Sequence, residues 1–373
     1  MAGLYIHIPF CKQACFYCDF HFSTSLKRKP ELVNAICKEL ILRKDEAESI
    51  ETIYFGGGTP SLLSVSELEQ IFKVINDYYK VSNNAEITLE ANPDDLSENK
   101  IKTLSDSPIN RLSIGIQSFF EEDLVWMNRS HSAAQAIQSI ETAKAYFGNI
   151  SIDLIYGVPG MEDEKWKSNL SKALSFEIPH ISSYALTVEP NTALAKMIKL
   201  GKKKNVDDER ANRHYKILVN TLTAAGYINY EFSNFGKEGF FSKNNTAYWI
   251  GTPYIGIGPS AHGFDGTHRY WNVRHNIKYA NAVNEGVLPS KQETLTLKDR
   301  YNEYIMTGLR TIWGISLNKV KKDFGAPFHE FLLKEAKPLL DQNLLLKEGD
   351  TIKITPDAKF LGDGISSDLF YVE

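Results

Sequence analysis

The 373-residue chain is 43% hydrophobic and 24% charged, with 14 prolines and no low-complexity tract, which excludes the disordered and fibrous classes. Its length suits two or three domains, or one large α/β unit with an appendage. A formal net charge of -4 argues against a general nucleic-acid surface, which leans on a Lys/Arg excess; the run Lys202 to Lys204 is answered at once by Asp207, Asp208 and Glu209.

Met1-Ala2-Gly3 leads straight into the first strand candidate, and nowhere do about 18 apolar residues follow one another, so a reducing, cytoplasmic setting is expected. Apolar, β-rich runs bounded by turn residues predict strands at Leu4–Ile8, Thr52–Phe55, Glu86–Ala91, Arg111–Ile116, Ser151–Tyr156 and His180–Leu186. Helical patterns lie between them. One follows Pro30 and carries Leu32, Val33, Ile36, Cys37, Leu40 and Ile41; another is capped by Ser132, carries Ile137 and Ile140, and stops at Gly148. Strands apolar on both faces that alternate with helices indicate a parallel sheet, and six such units favour a barrel-like curl. Chemistry then belongs at the C-terminal strand ends, where Cys11 to Cys18, Gly56 to Pro60, Glu90 to Pro93, Gln117 and Asp153 to Pro159 fall.

Beyond residue 235 the texture changes. Residues 243–264, "KNNTAYWIGTPYIGIGPSAHGF", are dense in Gly, Tyr and Trp and read as an ordered loop over something flat or filling a barrel mouth. Helices are expected at Asp299–Thr311, Leu317–Phe324 and Phe328–Gln342, then a hairpin and a short helix, an order that resembles a winged-helix domain. From Ser316 onward eight Lys and no Arg face ten Asp plus Glu, so this wing suits a structural or dimer role rather than DNA.

Three of the four cysteines stand within eight positions as CxxxCxxC: Cys11, Cys15 and Cys18. A structural zinc site wants four ligands, commonly as two pairs, and no second pair follows, although His7 or His21 could complete one. Disulfides fit poorly without a signal peptide. A [4Fe-4S] cluster on three thiolates leaves one iron without a protein ligand, and that vacancy can take a chelating substrate. Cys37 reads as a buried core thiol.

CxxxCxxC with Tyr17 before its last cysteine resembles the cluster loop of the radical S-adenosylmethionine (SAM) superfamily, whose open iron takes the amino and carboxylate groups of SAM for cleavage to a 5'-deoxyadenosyl radical. "YIHIPFC", "YFGGGTPS", "EANPDD", "SIGIQSF" and "SIDLIYGVPG" follow in the order of the oxygen-independent coproporphyrinogen oxidase family and its relatives. The resemblance implies a partial (β/α)6 TIM-like barrel over 1–235, a connecting segment over 236–298 and a winged-helix-like domain over 299–373. It further implies that Gly57, Gly58 and Thr59 meet the methionine end of SAM, that Glu90 binds its ribose or amine, and that Gln117, Arg129 and Asp153 surround its nucleoside and carboxylate. Tyr5 is placed against the cofactor. Taken alone, each polar residue also reads as a satisfied structural group, and Gly56 to Pro60 as a tight turn.

Within this group three activities compete: coproporphyrinogen oxidation, heme carriage of the HemW type, and radical modification of another tetrapyrrole. Coproporphyrinogen oxidases resemble CxxxCxxCxC and carry an N-terminal extension, whereas here the fourth cysteine's place is Phe20 and only three residues precede the first strand. Both features favour the HemW type, heme chaperones with heme-accepting proteins as partners and no oxidase activity; peripheral membrane association and a homodimer stay open. HemW-type proteins resemble HNxxYW after the barrel, with the histidine a heme contact, while this chain has Asn244 there, followed by Tyr248 and Trp249. An amide is a poor iron ligand, so heme is expected on His262, or on the aromatic surface of Tyr248 and Trp249.

Overall fold

The computed structural model describes residues 1–372. The first half alternates strand and helix: β1 (Ala2–Ile8), α1 (Lys29–Leu42), β2 (Ile50–Gly57), α2 (Val65–Tyr78), β3 (Val81–Ala91), α3 (Glu98–Ser105), β4 (Arg111–Gln117), α4 (Glu121–Met127), α5 (Ala133–Lys144), β5 (Ile150–Tyr156), α6 (Asp163–Ser175) and β6 (His180–Ala185). All six strands are parallel and pair in chain order. Every residue of β4 is buried, as a sheet covered on both faces requires. The expected strands are all present; several ends extend by a residue or two, β3 starts earlier than expected, at Val81 rather than Glu86, and β6 stops at Ala185, one residue short. Ser132 caps α5 and Gln135 closes the capping box, but the helix ends at Lys144, ahead of Gly148, because Phe147 turns into the core.

The curl does not close. After α7 (Ala193–Lys199) and α8 (Asp208–Ala224), the antiparallel strands β7 (Ile228–Glu231) and β8 (Asn234–Gly236) extend the sheet beyond β6. The aromatic segment that reads as a loop in the sequence instead forms α9 (Lys243–Trp249), β9 (Tyr254–Ile257) and β10 (His262–Phe264), continued by β11 (His268–Asn272), α10 (Asn276–Asn284) and β12 (Ser290–Thr294). Strand β9 pairs parallel to β1, and β10 to β12 follow antiparallel, so this segment is the other flank of one sheet. Its pairing partner lies some 250 residues upstream, out of reach of local pattern reading. Helix α9 is seated by Glu86, whose carboxylate accepts from Ser242 Oγ and from the amides of Lys243 and Asn244, an anion at a helix N-terminus.

A second buried anchor fixes that flank. Glu39 of α1, fully buried, accepts from Arg43 Nε at 2.8 Å, Asn272 Nδ2 at 2.8 Å, Tyr279 Oη at 2.7 Å and Gly258 N at 2.8 Å. Glu39→Ala leaves Arg43 buried without its main partner, and a stability loss of roughly 3–5 kcal/mol is expected. Urea unfolding measures it; a loss below about 1 kcal/mol would show that the network is dispensable.

The C-terminal part, α11 (Leu297–Leu309), β13 (Ile315–Ser316), α12 (Leu317–Phe324), α13 (Ala326–Asp341), β14 (Leu345–Glu348), β15 (Thr351–Ile354) and α14 (Gly362–Asp368), closes its own core around Tyr301, Ile305, Leu332 and Ile352. Its three strands run β13-β15-β14, the wing expected from the sequence. No helix among the described residues is long and apolar enough to cross a membrane.

Candidate functional site

The register of β1 on β2 sets Ile8 beside Gly57, which brings the cysteine loop and the glycine turn to one strand end. Gly58 donates its amide to Ile8 O at 2.9 Å. A Cβ at Gly58 would lie 2.6 Å from Phe10 O and 2.8 Å from Ile8 O. The glycine is therefore required by the cysteine loop's own backbone, before any ligand is considered. Gly57 has φ +104°, a conformation that favours glycine.

Together these loops wall a cavity of about 490 Å³ lined by Cys11, Cys15 and Cys18 and by Gly57, Gly58, Thr59, Glu90, Gln117, Arg129 and Asp153. All seven of these expected SAM residues meet there, although they come from four strands, β2 to β5, and from the loop after α4. The Thr59 hydroxyl donates to Cys11 Sγ, and Arg129 donates to Cys15 Sγ, each at 3.4 Å. Arg129 is aimed by Asn92 Oδ1 at 2.7 Å and Gly115 O at 3.0 Å. Gln117 has φ +65°, a left-handed conformation that costs a non-glycine residue roughly 1–2 kcal/mol and here sets its side chain on the cavity. Burial pushes the Cys18 thiol up to about 11. The three sulfurs do not close around one point, since no three ligating side chains among the described residues do. A single tetrahedral ion needs that closure, whereas a [4Fe-4S] cube asks each thiolate for a different iron, so the donor set suits the cluster. Cys37 lies apart, buried in α1.

The two acids are held protonatable. Glu90 accepts from Tyr54 Oη at 2.7 Å, and loss of water raises its pKa to about 7; the same cause raises Asp153 to about 6. Between about pH 4.5 and 7 the folded protein then keeps a proton on Glu90 that the unfolded chain has released, so stability present at low pH falls as pH rises. The ligand-free protein should lose on the order of 2–3 kcal/mol through this window on account of Glu90, and Glu90→Gln should flatten the loss. Thermal unfolding between pH 5 and 8 measures it; equal pH profiles for both proteins would contradict the desolvated carboxylate.

A neighbouring cavity of about 370 Å³ shares Asp19 and Phe20 with the first and is lined by Tyr5, His7, His21, Asn244, Tyr248 and His262. Tyr5 lies here rather than among the SAM residues; it stacks on Tyr54, centroids 6.1 Å apart, and so backs the Tyr54–Glu90 pair. His7 is a satisfied core group: Nε2 donates to His21 O at 2.9 Å, Nδ1 lies 3.3 Å from Tyr5 Oη, and burial lowers its pKa to about 4. His21 is tied to Asn276 Oδ1 at 2.6 Å. His262 differs from both. Its ring stacks on Trp271 at 6.2 Å, it is exposed to the cavity, and burial of part of the ring lowers its pKa, which keeps the imidazole neutral. Asn244, at the place of the HNxxYW histidine, lines the same cavity and accepts from Thr52 Oγ1 at 3.4 Å. Trp249 does not reach this cavity; it lines the next one, on the far side of Tyr248. Sequence reading missed Asn92, Asp19 and Arg274. Asn92 stood in a quoted strand-end motif, whereas Arg274 carries no local signal.

Residues 5–173 match the radical SAM superfamily and residues 295–361 the HemN C-terminal domain. The heme chaperone HemW of Lactococcus lactis subsp. lactis is 35% identical over 370 residues, 97% of this chain and 95% of the relative. That of Bacillus subtilis is 33% identical over 371 residues, 98% of each. Coproporphyrinogen III oxidase (HemN) from Escherichia coli, a radical SAM enzyme, superposes with a TM-score of 0.86 at 20% identity, over 99% of this chain and 90% of that one, and shows the same fold. The chain belongs to the radical SAM superfamily, which uses a [4Fe-4S] cluster and SAM, and within it to the HemW family.

Proposed function

We propose that this protein is a cytoplasmic heme chaperone that holds heme in the cavity beside the cluster site and passes it to heme-accepting proteins. The observation that carries this reading is the His262 imidazole, neutral and set by Trp271, in one cavity with Asn244, Tyr248 and Tyr254. Neutral imidazole is a good iron ligand, and the tyrosine rings offer flat apolar surface to a macrocycle. Arg274, which lines the cavity, is half-exposed, and its ion pair with Asp19 is loose at 3.6 Å, so it can turn to a propionate. The name heme chaperone borne by the relatives supports the same assignment.

In this reading Cys11, Cys15 and Cys18 hold the cluster. Gly57, Gly58, Thr59, Glu90, Gln117, Arg129 and Asp153 surround SAM, with Tyr5 supporting Tyr54 from behind. When bound, cluster and SAM supply one-electron chemistry at the strand ends. Glu90 offers an acceptor to ribose or amine hydrogens, and Asp19 and Phe20, directly after Cys18, form the wall common to both cavities.

Hand-over is tested by mixing heme-loaded protein with a heme-free acceptor at rising acceptor concentration. Transfer that accelerates with acceptor concentration supports the reading. A rate fixed at heme's dissociation into buffer, or no heme binding, contradicts it.

A further inference from the structure

Between the sheet flank and the C-terminal domain lies a third cavity, of about 450 Å³. Trp249 of α9, Arg269 of β11, Arg300 and Tyr304 of α11, and Lys319 and Phe324 of α12 supply its aromatic and cationic lining. Glu303 pairs with Arg269 at 2.7 Å, and Asp323 pairs with Lys319 one helical turn away. Both carboxylates of the lining are thereby engaged. Arg300 is left over: its Nε is buried and finds no hydrogen-bond partner among the described residues. That Nε is enclosed by protein and out of a ligand's reach, but the terminal guanidinium nitrogens also have no ion pair among the described residues, and a guanidinium cannot shed its proton, so Arg300 lines the cleft as an uncompensated cation. Its planar fork matches a carboxylate.

We propose that this cleft is a second binding site, for a planar aromatic carboxylate, in which Arg300 receives the carboxylate and Trp249 and Tyr304 flank the ring. Taking a tetrapyrrole as that acid rests on the heme reading above; the cationic aromatic cleft does not depend on it. The two cavities are neighbours through shared walls, since Tyr248 and Tyr254 line both, their ring centroids 5.2 Å apart. Tyr248 is 51% exposed, so a macrocycle leaving the His262 cavity across it meets the Arg300 cleft next. The second site is thus placed to stage ligand on its way out.

Iron-free deuteroporphyrin IX, a dicarboxylate that needs no axial ligand, and its dimethyl ester are titrated into the full chain with tryptophan fluorescence as readout. The diacid should quench a component that Trp249→Phe removes. Arg300→Gln should weaken that component roughly tenfold, and Arg300→Lys less, because the charge remains. The ester should bind wild type as weakly as the diacid binds Arg300→Gln. Equal affinity of diacid for wild type and Arg300→Gln overturns the proposal, as does equal affinity of diacid and ester for wild type. The ester comparison decides the matter even if Arg300→Gln folds poorly. Ferric heme on His262 is read separately by its Soret band, so the two sites fail independently.

Discussion

Replacing any one of Cys11, Cys15 or Cys18 by Ser should abolish the brown absorbance of anaerobically reconstituted protein almost completely. The three thiols share one cavity wall, and where a fourth ligand could stand, two residues after Cys18, Phe20 is 69% exposed. Cys37 cannot substitute. It sits on the buried face of α1, burial pushes its thiol up to about 11, and no loop carries it toward the strand ends. Cys37→Ser should therefore retain the full absorbance per chain. Iron and sulfide analysis alongside the spectrum makes the comparison quantitative; a cluster that survives Cys15→Ser and is lost in Cys37→Ser would show that the ligands are misassigned.

His262→Ala should change the ferric heme spectrum and lower heme affinity by about tenfold or more, because it removes the neutral imidazole that faces the cavity. His7 and His21 line the same space but are held by His21 O and Asn276, so neither takes over without breaking a hydrogen bond. Asn244→His introduces a second imidazole on the opposing element, α9, at the cost of the contact from Thr52. Heme affinity should rise, and the spectrum should move toward bis-imidazole, low-spin iron. Visible and electron paramagnetic resonance spectra of the two variants test this. An unaltered spectrum in both would exclude axial ligation in this cavity.

Much of this was readable from the chain because it is local. Each core strand is a short apolar run with turn residues at both ends, and Gly57 to Thr59, Glu90 and Gln117 stand at such ends, so the alternation of strand and helix alone brought these together, whereas Asp153 lies inside β5 and Arg129 beyond α4. What was hidden depends on partners distant in sequence. Residues 254–257 look like a Gly-rich loop until β1 is supplied as a pairing partner. Glu39 carries no signal of its own in the apolar pattern of α1, yet it meets Gly258, Asn272 and Tyr279 from the far flank. Tyr5 and His7, two residues apart on β1, share one face, and that face opens on the second cavity rather than the first. Tyr248 and Trp249 are adjacent in sequence yet line different sets of cavities, because α9 rotates successive side chains by about 100°.

The most direct measurement gives coproporphyrinogen III and ferric heme, in parallel, to one anaerobic preparation carrying its cluster and SAM. The expected result is heme binding with an imidazole spectrum and no formation of protoporphyrinogen, in keeping with Phe20 in place of a fourth cysteine. Robust protoporphyrinogen formation together with no specific heme binding would contradict the chaperone function.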